Sequence, residues 1–221
     1  QFTSATVYQG DSPVPCQHEK EASNLPLDWR KRVAFLADLQ PSSMNRFDCK
    51  LEVLPAKPKP ELKPIDGKLV FRGDRVQAVV NTLTGFLDSY KIDGVEYIGA
   101  NAFEPLVMAD NEDPWGMTVR GFREVMGRFK LMSDEQGTKL SAVVDGTIPS
   151  VRVIEDGQVR TAVEAVFACG DSAIVQQYLL PKAGTQLEVR TRVHWNEKDK
   201  MLKLSIPVPG ADNRYVGQVA Y

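Results

Sequence analysis

The strictest pattern in the sequence is an alternation of side-chain character between residues 187 and 195. The residues of one parity are apolar or β-branched, namely Leu187, Val189, Thr191, Val193 and Trp195. The residues between them are charged or histidine, and a period of two is typical of a strand with one buried and one polar face. A second alternation, Met201–Ile206, follows the turn Asn196–Lys200 and ends at Pro207. We therefore predict that the two strands pair near the centre of a two-layer antiparallel sandwich and bury both Val193 and Leu204.

Turn signals recur at short intervals through the rest of the chain. Asp93-Gly94 separates two β-favouring runs, and Asp156-Gly157 follows a third, Val151–Ile154. Glycine accepts the positive φ that two-residue hairpin turns require. The one helix candidate, Phe122–Met132, contains Gly127 and several β-favouring residues, which count against a helix. These features predict an all-β protein built mainly from antiparallel sheets.

The clearest boundary in the chain is a proline-rich stretch from residue 55 to residue 64, with prolines interleaved with lysines. Such a composition favours an extended, solvated linker. We predict a Pro/Lys linker at 57–64, a large β-domain at 65–221, and the remainder of a small β-sandwich domain at 1–56. The small part has too few β-like runs for an independent sandwich, which usually has about seven strands. Because the sequence starts without Met and still has strand character at Tyr221, we expect a segment of a longer protein whose large domain is truncated at its C-terminal end.

Composition and charge exclude several classes of protein. The 221 residues are 43% hydrophobic and carry a formal net charge of −2. That charge gives no field for holding nucleic acid, and no apolar run of about 18 residues is present to span a membrane. Cys16, Cys49 and Cys169 lack C-x-x-C spacing, which favours free thiols in a reducing compartment. We therefore expect a cytoplasmic protein without nucleic-acid or membrane partners.

The sequence contains no catalytic motif that we can assign. It lacks H-E-x-x-H, G-x-S-x-G and the phosphate-binding G-x-x-x-x-G-K-[ST] pattern. Its two histidines, His18 and His194, are far apart, and His194 lies on the charged face of a predicted strand, where a surface histidine is expected. We assign no catalytic residue, no metal ligand and no cofactor to the chain.

One acidic segment, Asn101–Met117, has the composition of a sugar-recognition loop. Within it we nominate Asp110, Asp113 and Trp115 as substrate-binding residues. Carboxylates accept hydrogen bonds from hydroxyl groups, and an indole face stacks on the apolar C–H face of a pyranose. The alternative is an acidic loop whose Trp115 packs into the core, and the residues alone leave both interpretations open.

The run V-x-W-N-E-K-x-K-M-L-K-L-x-I-P, from Val193 to Pro207, resembles the C-terminal β-region of glycoside hydrolase family 38, the α-mannosidases. The stretch Asn24–Arg30 resembles the linker region of the same enzymes, and the similarity extends roughly from Trp29 to Tyr221. The resemblance implies a β-supersandwich of the galactose mutarotase type, with the Asp110–Met117 loop directed toward the sugar-binding cleft. It also implies that zinc and the nucleophilic Asp of these retaining enzymes belong to an N-terminal barrel, which nothing in this sequence resembles.

Three functions compete on this basis. The first is a non-catalytic C-terminal β-domain of an α-mannosidase, which packs on its own catalytic domain, lends a loop to the α-mannoside site and is inactive alone. The second is a stand-alone carbohydrate-binding module. The third is a mutarotase-like sugar epimerase, for which His194 would be the only plausible proton donor and no second histidine is close to it in the sequence.

Overall fold

A computed structural model describes residues 2–19, 32–56, 58–113, 115, 121–210, 212–214 and 216. The Asn24–Arg30 stretch lies outside the described residues. No helix in the described part of the chain is long and apolar enough to cross a membrane.

The described residues form seventeen strands and one short helix. The N-terminal unit consists of five strands, β1 to β5, which are Phe2–Gln9, Ser12–Val14, Cys16–His18, Val33–Phe35 and Asp48–Leu54. The next five, β6 to β10, are Lys68–Arg72, Val76–Asn81, Leu87–Ile92, Val95–Glu96 and Glu104–Ala109. The remaining elements are β11 (Val125–Arg128), β12 (Lys130–Leu131), α1 (Asp134–Leu140), β13 (Val151–Asp156), β14 (Arg160–Cys169), β15 (Ser172–Pro181), β16 (Glu188–His194) and β17 (Lys200–Ser205).

All strand pairs are antiparallel and fall into five sheets. The N-terminal unit contains two small sheets, β2-β1-β5 and β3-β4. The large domain contains a sheet of order β12-β14-β15-β16, to which β13 adds beside β14. Against it lie the sheets β6-β7-β8-β9 and β11-β10-β17, which are joined by a bridge between Leu87 and Ala102. The prediction of an all-β, antiparallel sandwich is confirmed, while the boundaries 1–56, 57–64 and 65–221 stay a prediction.

The core lies between these two layers in two clusters. In the first, buried residues of β6, β7 and β8 pack against Val163, Tyr178 and Leu180 of β14 and β15. In the second, Val107 of β10 packs against residues of β14 and β15 that include Phe167. Because alternate residues of each strand point inward, the long strands β14 and β15 contribute buried residues to both clusters.

The predicted hairpin between residues 187 and 206 is wrong. Strand β16 pairs only with β15 among the described strands, whereas β17 pairs with β10, with Pro105 opposite Leu204. The turn between β16 and β17 therefore crosses from one layer to the other. Both strands lie at sheet edges in the described part of the chain, and this leaves Val193 37% and Leu204 41% exposed. The expected burial of these two side chains is also wrong.

Turn and capping chemistry account for two other local features. Asp93 and Gly94 both have positive φ, at 49° and 84°, and connect β8 to β9 as the Asp-Gly signal predicts. The helix candidate Phe122–Met132 contains β11 and β12 instead of a helix. The helix α1 begins just after it, at the capping box formed by Ser133 and Gln136.

Candidate functional site

The nominated loop starts at the end of β10, the middle strand of the sheet β11-β10-β17. The last residue of β10, Ala109, donates its N–H to the carbonyl oxygen of Glu124 at 2.9 Å. Asp110 donates its N–H to the carbonyl oxygen of Asp199 at 3.0 Å. The start of the loop is therefore held by two backbone hydrogen bonds. One is to Glu124, just before β11, and the other is to Asp199, in the turn before β17.

Side-chain oxygens of the loop hold its own backbone. Asp110 Oδ1 accepts a hydrogen bond from the N–H of Asn111 at 2.8 Å. Asn111 Oδ1 accepts one from the N–H of Asp113 at 3.1 Å, and Asp113 Oδ1 accepts one from the N–H of Trp115 at 3.0 Å. The last two are Asx turns, in which a short polar side chain replaces a backbone acceptor. These contacts restrain the backbone N–H groups of Asn111, Asp113 and Trp115. The sequence did not predict the role of Asn111.

Trp115 lies at the outer end of this ladder and is 83% exposed. Its side chain is therefore not part of the core, and the alternative reading of a packed tryptophan does not describe this structure. Asp113 is half-buried and contacts the backbone of Trp115, while Asp110 is half-buried at the base of the loop. The structure thus links the Asp113 carboxylate to the backbone of the exposed Trp115, with Asp110 closer to the sheet.

A lysine on β17 fixes the returning side of the loop. Lys203 Nζ donates to the carbonyl oxygen of Phe122 at 2.6 Å and lies 5.7 Å from the centroid of its ring. In the sheet, Lys203 is opposite Leu106 of β10. The chain on both sides of the loop is therefore bound to the same sheet, although nothing in the sequence around Lys203 marks it for this contact.

The turn before β17 is itself held by charged and polar groups. Glu197 accepts hydrogen bonds from Lys200 and from Ser172 Oγ, the latter at 3.4 Å. The hydrogen bond from Lys200 lowers the pKa of the Glu197 carboxyl, and the same contact raises the pKa of Lys200. Because Ser172 opens β15, this turn ties the base of the loop to the opposite layer through Asp199.

Catalytic chemistry at other positions would need a partner for His194 or a cluster of metal ligands. His194 is exposed on β16 and lies opposite Ala173 in the sheet register, so no carboxylate faces it across the strand pair. Among the described residues, no group of three or more His, Cys, Asp or Glu side chains is arranged to hold a metal ion. Among the described residues, the nominated ones therefore combine an exposed Trp115 with the half-buried carboxylates of Asp110 and Asp113.

The comparisons with known proteins agree with a carbohydrate-related class. Residues 121–220, just under half of the chain, match the family model described as the glycosyl hydrolases family 38 C-terminal domain. Over these residues the chain is similar to the C-terminal domain of glycosyl hydrolase family 38. A search of curated proteins found no match. The matched segment covers β11 to β17 and α1, and the nominated residues Asp110, Asp113 and Trp115 precede it.

Proposed function

We propose that this chain is the non-catalytic C-terminal β-region of an α-mannosidase-like glycosidase. In this function the sandwich packs on the catalytic domain of the same enzyme and contributes the Asp110–Trp115 loop to its carbohydrate site. The observation that carries the proposal is the 83% exposure of Trp115 on a loop whose two sides are bound to one sheet. Functional residues tend to lie on loops that a rigid scaffold positions.

The chemistry of the loop favours a neutral sugar as its ligand. An exposed indole offers a flat apolar face for the C–H groups of a pyranose. The carboxylates of Asp110, Glu112 and Asp113 accept hydrogen bonds from hydroxyl groups and repel anionic ligands. The Asx turns already restrain the described residues of this loop. The loop therefore loses less conformational entropy on binding than an unrestrained loop would.

The proposal assigns the hydrolytic step to the catalytic domain, with zinc bound there. We therefore expect the purified chain to release no p-nitrophenol from p-nitrophenyl α-mannoside, with or without added zinc. Turnover that disappears on substitution of a residue within this chain would refute the assignment.

Sugar recognition by the loop is tested by titrating the chain with methyl α-D-mannopyranoside and measuring saturation transfer to the sugar by NMR. The Trp115→Ala variant is expected to give a much weaker signal, because it removes the flat apolar face on which the pyranose would stack. Tyr97→Ala is the matched control, since Tyr97 is also an exposed aromatic residue and follows β9 in a different sheet from β10. Equal signals from the wild type and Trp115→Ala would show that the indole does not recognise this sugar.

The same exposure favours a second candidate, a stand-alone carbohydrate-binding module. The two functions differ in the affinity of the isolated chain. A module that works alone binds its glycan tightly without a partner, whereas a loop that completes a site on another domain binds only weakly. A dissociation constant for mannosides below about 1 mM, corresponding to about −4 kcal/mol, would favour the module.

A further inference from the structure

The turn between β13 and β14 makes a close polar contact with the N-terminal unit. Gln17 of β3 is only 9% exposed. Its Oε1 accepts hydrogen bonds from the N–H groups of Val159 at 2.9 Å and Arg160 at 2.8 Å, and its Nε2 donates to Glu155 Oε2 at 3.3 Å. One amide side chain thus satisfies two backbone donors of the large domain, and buried donors are costly to leave unpaired.

A buried ion cluster surrounds this amide. Arg160 Nε donates to Glu155 Oε2 at 2.9 Å, and Arg160 Nη2 donates to Glu19 Oε1 at 2.9 Å. The three side chains are between 7% and 18% exposed. Burial by itself lowers the pKa of Arg160, but its hydrogen bonds with Glu155 and Glu19 outweigh burial and raise it. Removing Glu19, which the N-terminal unit supplies, would leave a buried guanidinium with half of its carboxylate partners.

Gly157 is required at this turn for space. A β-carbon at this position would lie 2.5 Å from Gln17 Oε1 and 2.6 Å from Gln17 Cβ. Its φ lies outside the left-handed region, so conformational freedom does not explain the glycine. The neighbouring Asp156 holds the proline-rich segment, accepting hydrogen bonds from the N–H groups of Glu61 at 2.8 Å and Leu62 at 3.0 Å.

The contact also continues into the N-terminal unit. Cys16, next to Gln17 on β3, donates its backbone N–H to Gln158 Oε1 at 3.1 Å. The Cys16 thiol donates to the carbonyl oxygen of Ala5 on β1 at 3.2 Å. The sheet β2-β1-β5 is therefore joined to β3, the strand that contacts the large domain.

We infer that the Asp156–Val159 turn is a docking site for the N-terminal unit, and that this unit and the sandwich fold as one body held at Gln17, Gly157 and Arg160. The inference goes beyond the proposed function, because it concerns how the sandwich is held and not what the loop binds. The extended linker alone would leave the two parts free to reorient, whereas the hydrogen bonds that Cys16, Gln17 and Glu19 make with residues 158–160 fix their relative position.

Hydrogen exchange of the whole chain, measured by mass spectrometry, tests this docking. Peptides that cover residues 14–19 and 157–162 report the amide groups of Cys16, Val159 and Arg160 directly. In Gly157→Ala and in the milder Gln17→Met, exchange of both peptides is expected to rise about tenfold or more, because docking no longer protects these groups. The core strand β14 beyond residue 163 is expected to keep its protection.

Matched controls separate docking from the chemistry of the substitutions. Gly121→Ala places a methyl group 3.5 Å from the flexible side chain of Arg123 and should leave exchange unchanged. Gln9→Met removes an exposed amide that contacts the carbonyl oxygen of Asp38 and should also have no effect on the two peptides. If Gly157→Ala fails to fold, Gln17→Met decides the result.

Thermal unfolding gives the second measurement. The wild type is expected to unfold in one transition, and Gln17→Met in two separated transitions as the N-terminal unit melts first. Two transitions in the wild type would overturn the inference. Unchanged exchange in Gln17→Met, or an equal rise in exchange across all core strands, would overturn it as well, because neither result indicates a local docking contact.

Discussion

Tyr178 and Gln176 join the two layers of the sandwich through a buried hydrogen-bond relay. Both side chains are 0% exposed. Gln176 Nε2 donates to the Tyr178 hydroxyl at 2.7 Å and to the carbonyl oxygen of Phe103 at 3.2 Å, and the Tyr178 hydroxyl donates to the carbonyl oxygen of Gly85 at 3.1 Å. Burial raises the pKa of Tyr178 above its ordinary range, so the hydroxyl keeps its proton. The relay therefore connects β15 to both sheets of the opposite layer.

Tyr178→Phe removes the hydroxyl and changes the side-chain volume little. Gly85 lies in the buried part of the chain, so its carbonyl oxygen loses its donor without access to water. Such a loss costs about 1–3 kcal/mol, and we expect the free energy of unfolding to fall by that amount. Urea denaturation followed by tryptophan fluorescence measures the change, with an unchanged m-value indicating that the native and denatured states keep their surface areas.

Tyr97→Phe is the control for this substitution, because Tyr97 is 52% exposed. It should change the free energy of unfolding by less than about 0.5 kcal/mol. The double variant Tyr178→Phe, Gln176→Leu should cost less than the sum of the two single variants, since both partners of one hydrogen bond are then apolar. A Tyr178→Phe variant as stable as the wild type, or strictly additive costs in the cycle, would refute the relay as a stabilising contact.

Four other substitutions test other parts of the structure. Lys203→Met should increase proteolytic cleavage and hydrogen exchange near Phe122, because it removes the contact that holds this residue. The melting temperature should change only slightly, because an exposed charged contact contributes only about 0–1 kcal/mol to stability. Burial raises the pKa of Asp156, but hydrogen bonds from Thr161, the Leu62 N–H and Lys182 outweigh burial, so its folded pKa lies below the ordinary Asp value of 3.8. The stabilisation from this carboxylate is therefore complete well above pH 3.8 and is lost as the pH falls through the folded pKa. The difference in unfolding free energy between the wild type and Asp156→Asn should accordingly shrink between pH 7 and pH 3. Phe167→Ala should lower the free energy of unfolding by about 3–5 kcal/mol, because it leaves a cavity at a 0% exposed position. Val193→Asp should lower it clearly less, because Val193 is 37% exposed. Equal losses in urea denaturation would contradict this description of the core.

Local chemistry in the sequence predicts what is decided locally. The Asp93-Gly94 hairpin follows from the positive φ that both residues adopt. The alternation from residue 187 to residue 195 correctly predicts a strand, but it carries no information on which strand lies beside it. Antiparallel neighbours are decided by packing between distant segments, and the pairing of β17 with β10 across about a hundred residues of chain has no local signal. The capping box of Ser133 and Gln136 is a local signal for the start of α1, whereas apolar periodicity alone does not predict this short helix.

The sequence likewise predicts some residues of the candidate site and not others. Trp115 and Asp113 could be nominated from composition, since acidic residues beside a tryptophan fit the chemistry of sugars. Their substrate-binding role stays a prediction. The groups that fix the loop, Asn111 and Lys203 among them, could not be nominated, because each acts through a backbone contact that depends on the folded chain.

The crossing turn between β16 and β17 gives the loop its dependence on the whole sandwich. Glu197 in this turn binds Ser172 at the start of β15, and Asp199 in the same turn accepts the N–H of Asp110. A hairpin that stayed within one sheet would leave the loop attached to that sheet alone. Because the turn passes between layers, the base of the loop is held by both, and the position of Trp115 depends on how the layers pack. A change in the core between β10 and β14 is therefore expected to move the Asp110–Trp115 loop, even where no residue of the loop itself is altered.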